Sequence, residues 1–522
     1  MRARVLPAET VWPGWGQVGA VVVAMLAGAA FSTSFSPLDL WPAALIGVLV
    51  LYWLIYGLTS LPAAFCRCFA FALGKYGVGA YWIFVSVHDY ADVGPAIAAV
   101  LFAVFLVVVS TTFAFVSVFA VATRSATLDS AVFAAGVCLV ELVLTIPWAW
   151  NFPWLHLGYA LVDLPLASYA PLGGVWLVSL LGAFSAVALR HLWRRRPVPA
   201  AAAVAVWIVG WAVPAGLWTT EGATVRVALV QGNVPLAEKW ADGSADGILV
   251  AKYRAMTLPV GQADLVIWPE TALPTTLTVV GRRLADIVDE TGNPLIAGVF
   301  ERSGRPGGAR LYNAIVGVDG GFQSTYRKRQ LVPFAEYTPL EWLFGSVLDP
   351  IGFPMSSLSS ADGGGLLSGA DMRRAVAICY EIAYPQLVNP QTAEADFIVT
   401  LSEDSWLGDS TGPWQHLQIA RMRALETGRY VVRATNDGVT AIIDPNGDLT
   451  ASLPRHVPGV LKGRVSLATG ATPVARFGVW AIVVPMLIVF GIDLTRFRRR
   501  GRRHGCPMGR QARCERLLSV SR

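Results

Sequence analysis

Apolar residues in this chain come in runs about as long as a bilayer is thick, and this constrains its fold more than any other feature. A helix needs roughly 20 apolar residues to cross the hydrocarbon core. Eight stretches approach or exceed that length: Trp15–Phe35, Trp41–Leu58, Phe69–Val87, Gly94–Ala122, Ala131–Trp148, Val175–Leu189 and Val198–Trp218, then, after a long gap, Phe477–Leu494. Lys75 weakens the third, the sixth is short, and the fourth is long enough to tilt. Of the 522 residues 54% are hydrophobic and only 15% charged, against roughly 25% charged in soluble domains. A disordered chain, a fibrous one and an ordinary cytosolic enzyme are excluded. Nineteen Trp suit a chain with many membrane–water interfaces.

Lys and Arg in the connections orient the spans. Arg2 and Arg4 precede the first span, Arg67 follows the second, Arg124 the fourth, and Arg190, Arg194, Arg195 and Arg196 the sixth. Six arginines lie between Arg496 and Arg503, after the eighth. The other connections, Ser36–Leu40, His88–Val93 and Asn151–Gly174, have no Lys or Arg and carry Asp39, Asp89, Asp92 and Asp163. The net charge of +6 therefore reads as membrane anchoring rather than a nucleic-acid patch. The expected organisation is a membrane domain over 1–218 with about seven helices, a soluble domain over 219–470 outside the cytoplasm, a last span over 471–495 and a basic cytoplasmic tail over 496–522. Both termini are then cytoplasmic. Residues 1–30 also resemble a signal peptide, with Ala27-Gly28-Ala29-Ala30 as a cleavage site. The long apolar run favours a retained span, and cleavage leaves the remaining orientation unchanged. Glu141 falls inside the fifth span, where a charge is costly; a lipid headgroup, a neighbouring helix and a neutral side chain are open alternatives.

Composition shifts sharply at Thr219. Strand patterns follow at Val225–Gln231, Leu265–Trp268, Leu295–Phe300, Tyr312–Val318, Arg374–Cys379, Phe397–Leu401, Tyr430–Ala434 and Thr440–Ile443, with helical stretches at Leu277–Thr291 and Trp414–Gly428. Strands alternating with helices predict a layered α/β domain. There is no internal repeat, no zinc-type Cys/His spacing and no Gly-rich phosphate loop, so no metal or cofactor is expected.

Cysteine placement isolates one residue. Cys66 and Cys68 sit at a membrane edge, Cys138 inside a span, Cys506 and Cys514 in the tail, and Cys379 alone in the soluble segment. A lone Cys is most often a small buried hydrophobe. Here the buried-strand pattern Arg373–Ile378 ends at Cys379-Tyr380-Glu381, which displays the thiol at a turn whose backbone N–H groups can serve an oxyanion. A Cys nucleophile needs a base and a stabiliser of negative charge. Trp268-Pro269-Glu270 offers a carboxylate after one strand, and Tyr326-Arg327-Lys328 an ammonium after another. Taken singly, such residues are mostly capping groups or surface charge.

In this order and context they resemble the Glu-Lys-Cys set of the nitrilase superfamily. The resemblance is closer to its membrane-bound apolipoprotein N-acyltransferase branch, and it covers nearly the whole chain. It is carried by Val230-Gln231-Gly232-Asn233-Val234-Pro235 with Lys239-Trp240, by Ile267–Pro274, by Leu331-Val332-Pro333-Phe334-Ala335-Glu336-Tyr337, by Cys379-Tyr380-Glu381, by Trp406–Ser410 with Gly412–His416, by Ala420–Glu426, by Arg433–Asn436 and by Phe152–Tyr159. Three places depart from the family pattern: Ser402-Glu403-Asp404-Ser405-Trp406 stands where it has Ser-Asn-Asp-Ala-Trp, Ala335 where it has Gly, and Asp437 where it often has Thr.

The resemblance implies an αββα sandwich beside the membrane helices, a bacterial inner-membrane location and no cofactor. It implies transfer of a fatty acyl chain from a membrane phospholipid to the α-amine of a diacylglyceryl-cysteine on an apolipoprotein, through a thioester on Cys379. Glu270 is then the base, and Lys328 stabilises the oxyanion. Glu336 matches a further acidic residue, which orients Lys328, stabilises charge or is a structural ion-pair partner. Trp240, Tyr380 and Glu381 match positions linked to substrate entry or intermediate stabilisation, and Trp240 equally suits interface anchoring. The competing functions are a membrane-anchored carbon–nitrogen hydrolase with the same triad and a non-enzymatic scaffold, the latter disfavoured by the presence of all three groups.

Overall fold

The computed structural model describes residues 16–90, 93–122, 129–146, 152–193, 197–214, 216–241, 247–304, 308–337, 358–369 and 371–503. Arg2, Arg4, Trp15, Asp92, Arg124, Trp148, Asn151, Arg194, Arg195, Arg196, Cys506 and Cys514 lie outside the described residues.

Among the described residues, three helical stretches are long and apolar enough to cross a membrane: Gln17–Ser34, Pro95–Phe119 and Pro165–Ala188. Leu61–Gly79 with Trp82–Tyr90 makes a fourth if the pair, bent by 52°, is one span. Trp41–Ile55, Pro197–Ala212 and Trp480–Ile492 are apolar but shorter. Among the described residues, three or four of the eight apolar runs thus form helices that meet the length and composition of a span, and local features set the lengths of the others. The second run loses its helix at Gly57, whose φ is +78°. The seventh stops at Ala212, just before Pro214, which cannot continue a helix. The sixth gains residues, because a 3-10 turn over Pro165–Tyr169 leads into Ala170–Ala188. Apolar side chains point outward from these helices, with Val18 76% and Trp211 82% exposed, as a lipid-facing surface requires.

Inside the bundle the helices Gln17–Phe31 and Leu61–Gly79 touch backbone to backbone. A Cβ on Gly28 would lie 1.8 Å from Phe71 O, and one on Gly74 1.9 Å from Met25 O. Small residues permit such contact, which is how helices gain packing energy in lipid. Gly28→Leu is expected to lower stability by at least about 3 kcal/mol, since backbone cannot yield as a side chain can. Gly77→Leu, with nothing within 4 Å, is expected to change little. Thermal unfolding in detergent checks the contrast, and equal melting temperatures for the two variants would refute it. Glu141 is buried and accepts a 2.8 Å hydrogen bond from Leu157 N, so it satisfies a neighbouring backbone turn. Lys75 is buried among aromatic rings, 4.9 Å from Phe31 and 4.8 Å from Phe113.

Beyond Thr219 the chain forms two six-stranded mixed sheets. One runs β12-β1-β2-β3-β4-β5 and the other β11-β10-β9-β8-β7-β6. The strands are β1 Thr219–Gln231, β2 Leu265–Ile267, β3 Leu295–Ser303, β4 Arg310–Asp319, β5 Phe322–Arg327, β6 Leu367–Gly369, β7 Met372–Ile378, β8 Phe397–Ser402, β9 Val431–Thr435, β10 Ala441–Ile443, β11 Leu449–Ser452 and β12 Gly459–Gly470. Period-2 alternation builds the layers. Val227 and Leu229 of β1 face Val376 and Ile378 of β7 in a core between the sheets. Ala228 and Val230 face the other way, onto Leu249, Tyr253, Leu284 and Ile287 of the helices Ile248–Thr257 and Leu277–Thr291. Ala375 and Ala377 turn outward onto the helix Gly412–Thr427, and this cluster runs on unbroken into the apolar bundle. The order is helices, sheet, sheet, helix.

Polar bonds also fix the sandwich to the bundle. Gln415 Oε1 accepts from Trp154 Nε1 at 2.8 Å and Trp82 Nε1 at 3.2 Å, while its amide donates to Gly79 O. Glu426 Oε1 accepts from Val175 N, freed where Gly174 interrupts a helix.

Candidate active site

Glu270, Lys328 and Cys379 lie just beyond the C-terminal ends of β2, β5 and β7. The turn Trp268-Pro269-Glu270 presses against β3: a Cβ at Gly298 would lie 2.4 Å from both Pro269 O and Thr271 N, so glycine is required there. Cys379 follows β7 with φ +52°, in the left-handed region, and opens a 3-10 turn over Cys379–Ala383. A non-glycine residue in that region is strained, and at this elbow the half-buried Cys379 sits at the edge of the core between the sheets.

Lys328 meets two carboxylates inside the protein, near enough to Cys379 for Glu270 and Lys328 to act on its thiol electrostatically. Lys328 Nζ lies 2.9 Å from Glu336 Oε1 and 3.3 Å from Glu270 Oε1. Asn313 Nδ2 donates to both carboxylates, at 2.8 Å to Glu270 and 3.2 Å to Glu336. Glu270 Oε2 accepts from Glu403 N at 2.8 Å, and Glu336 Oε2 from Val332 N at 2.8 Å. One ammonium serves two carboxylates. Burial, only partly offset by Lys328 and opposed by the charge of Glu336, holds Glu270 above the ordinary carboxylate range. Burial would lower Lys328, but Glu336, Glu270 and Cys379 outweigh it and hold the ammonium above its usual value. Burial and the Glu270 carboxylate push the Cys379 thiol up, with Lys328 opposing them.

Glu381 is buried and ties two of these elements together. Its carboxylate accepts from Ile378 N, just before the elbow, and from Arg329 N and Gln330 N, just after Lys328, as well as from Tyr326 OH. Tyr380 stacks on Trp154 at 6.1 Å and meets Tyr384 edge-on at 5.1 Å. Trp240 lies in an apolar cluster with Phe300, Leu358 and, from the segment that carries Glu336, Leu331 and Tyr337.

Asn313, Tyr326 and the amide of Glu403 were not singled out by the sequence. A polar residue inside the apolar run Tyr312–Val318 was the signal for Asn313. Behind the elbow, His416 Nε2 donates to Cys379 O at 3.1 Å, and its Nδ1 lies 3.0 Å from Asp404 Oδ1, while Asp404 Oδ2 accepts from Arg433. Cys379 Sγ, an Asp404 oxygen and a His416 nitrogen fall within 4.8 Å of one another. They do not suit a metal: both His416 nitrogens and both Asp404 oxygens are engaged, and the Arg433 guanidinium holds the cation position.

Asp437 adjoins this region. Burial, then Glu403 and Asp404, raise its carboxyl from 3.8 to about 6. A raised folded-state value favours folding below the unfolded value and disfavours it as pH climbs through the folded one. Asp437→Asn is therefore expected to stabilise the protein by up to about 3 kcal/mol at pH 8 and by almost nothing at pH 4. Melting curves at the two pH values read this, and a pH-independent gain would contradict it.

Residues 226–472 match the carbon–nitrogen hydrolase family, and residues 27–188 match the apolipoprotein N-acyltransferase N-terminal domain. The chain is 38% identical over 508 residues to an apolipoprotein N-acyltransferase of Azotobacter vinelandii, covering 93% of this chain and 96% of that one. It is 36% identical over 509 residues to one of Pseudomonas syringae pv. tomato, covering 92% and 96%. Against one of Vibrio vulnificus the identity is 31% over 512 residues, covering 92% and 97%.

Proposed function

The chain belongs to the apolipoprotein N-acyltransferases, membrane enzymes built on a carbon–nitrogen hydrolase domain, and from that premise we propose that it moves a fatty acyl chain from a membrane phospholipid to the α-amine of a diacylglyceryl-cysteine through a thioester on Cys379. The observation that carries this is a thiol on a strained elbow beside a Glu–Lys pair, in a sandwich whose outer face packs directly on apolar helices. Both substrates hold lipid chains that leave the bilayer only at high cost, so a site fixed at its surface meets their reacting groups where they lie.

Glu270 takes the thiol proton, and the thiolate attacks the ester carbonyl of the donor. Lys328 and backbone N–H groups near Cys379 stabilise the oxyanion. Its collapse forms the thioester and expels the lysophospholipid alkoxide, which recovers the proton from Glu270. The acceptor amine then attacks the thioester, Glu270 takes its proton, the C–S bond breaks and the thiolate is reprotonated. Glu336 serves this cycle by taking the closer share of Lys328, which leaves Glu270 the freer base. Glu381 acts as a positioning residue between Lys328 and Cys379. Tyr380 and Trp240 border the approach for lipid.

The topology belongs to the same proposal: membrane helices over 1–218, a catalytic domain over 219–470, a last span over 471–495 and a basic tail, eight spans in all. The alternation of Lys and Arg along the connections supports an extracytoplasmic catalytic domain on the bacterial inner membrane with both termini cytoplasmic. Mass spectrometry of lipoprotein N-termini from cells depleted of the protein tests the function. Diacylated species with free amines are expected to accumulate, and fully N-acylated lipoproteins in depleted cells would overturn it.

A further inference from the structure

Glu403 and Lys239 form a second buried charged pair next to Glu270. The Glu403 carboxylate is ion-paired with Lys239 Nζ, and both side chains are almost fully buried. Glu403 is held on its other side by Ser405 Oγ at 2.5 Å and Asn436 Nδ2 at 3.1 Å. Each partner also reaches Glu270 through main-chain atoms: Lys239 Nζ donates to Glu270 O at 3.1 Å, and Glu403 N donates to Glu270 Oε2 at 2.8 Å. One residue thus holds the backbone of Glu270 and the other its carboxylate, and the salt bridge locks the two to each other. Nothing in the reaction uses this pair directly.

We propose that the Lys239–Glu403 ion pair is a positioning device for Glu270, which fixes the direction of its carboxylate and keeps the charge behind it neutral. Four other groups set the charge around this site: Lys328 from the end of β5, Glu336 from the loop after it, Cys379 from the end of β7, and Asn313 as a neutral donor from β4. Asp437 and Tyr253 face Glu403, and Asp404 faces Cys379. With the pair intact, Lys239 and Glu403 cancel. With one removed, Glu270 and Cys379 face an unbalanced charge of known sign.

The inference rests on Glu270 acting as base in the proposed reaction, and its test separates the two. The full-length protein in detergent micelles is alkylated with iodoacetamide from pH 5 to 10, and modification is read on the Cys379 peptide. No lipid is needed, so the result stands whatever the natural reaction. Glu403→Gln leaves Lys239 unbalanced and is expected to move the alkylation midpoint down by about one pH unit; Lys239→Met is expected to move it up by about as much. The double variant is expected to return the midpoint near the wild-type value. In the same proteins, acyl-Cys379 formation from phospholipid vesicles is expected to fall about tenfold in kcat for the double variant at unchanged KM, because the carboxylate is no longer aimed. Midpoints that move in the same direction, or not at all in Glu403→Gln, overturn the proposal. Where a single variant does not fold, the uncharged double variant decides, and a wild-type rate in it overturns the proposal. A wild-type enzyme that forms no acyl-Cys379 overturns the reaction but not the alkylation result.

Discussion

Cys379→Ser is expected to reduce N-acylation by roughly 10⁴-fold or more while leaving the protein folded. The substitution replaces sulfur by oxygen on a half-buried side chain and leaves in place the bonds by which Glu381 and His416 hold the elbow's backbone. The chemistry changes far more than the packing. A serine hydroxyl is much less acidic than a thiol, and Glu270, a carboxylate, is too weak a base to take its proton even when burial raises its affinity for one. Purified variant and wild type, matched by melting temperature, are compared in an N-acylation assay with phospholipid and a diacylglyceryl-cysteine peptide. A variant that keeps a tenth of the activity would show that the thiol is not the nucleophile.

Lys328→Met is expected to damage both rate and stability. The ammonium is the only cation that touches both Glu270 and Glu336 among the described residues, and both carboxylates are buried. Its removal leaves two buried negative groups bridged only by Asn313. Breaking a buried pair from one side costs about 3–5 kcal/mol, and losing one oxyanion stabiliser lowers the rate by about 10²–10³-fold. The two effects separate by pH. The deficit in melting temperature is expected to be largest at pH 8 and to shrink toward pH 5, because protonating one carboxylate relieves the repulsion. Activity is expected not to recover at pH 5, because a protonated Glu270 cannot act as base. Recovery of rate together with stability would assign Lys328 a structural role alone.

How far the fold was legible in the sequence depended on where each element lies. Strands β2, β3, β4, β7, β8 and β9 and the last five residues of β1 are mostly buried, and their apolar runs marked them within three residues, apart from β1, which starts earlier at Thr219. β5 was implied only through Tyr326-Arg327 and given no bounds, and β6, β11 and β12 escaped notice. All three are edge strands, β6 is three residues long, and β11 and β12 are mostly half-exposed, so their side chains do not alternate clearly. The membrane helices followed their hydropathy in place but not in length, since glycines, prolines and bends cut the helix short of the apolar run. In the site, Glu270, Lys328 and Cys379 follow strand patterns, which singly is a weak signal, and the family resemblance is what set them apart together with Glu336. The contacts that hold them were not legible, because they join distant parts of the chain. Glu381 is 51 to 55 residues from three of its donors, and Glu403 is 164 residues from Lys239. Only folding makes these residues neighbours.

The thioester itself is the sharpest point of test. Enzyme is incubated with phospholipid and no acceptor, and its intact mass is recorded before and after a diacylglyceryl-cysteine peptide is added. One added fatty acyl mass is expected, labile to hydroxylamine and absent from Cys379→Ser, and the peptide is expected to discharge it into N-acylated product much faster than water does. An enzyme that never gains the acyl mass, or whose acyl group water removes as fast as the peptide does, would contradict acyl transfer through Cys379 and point to a hydrolase.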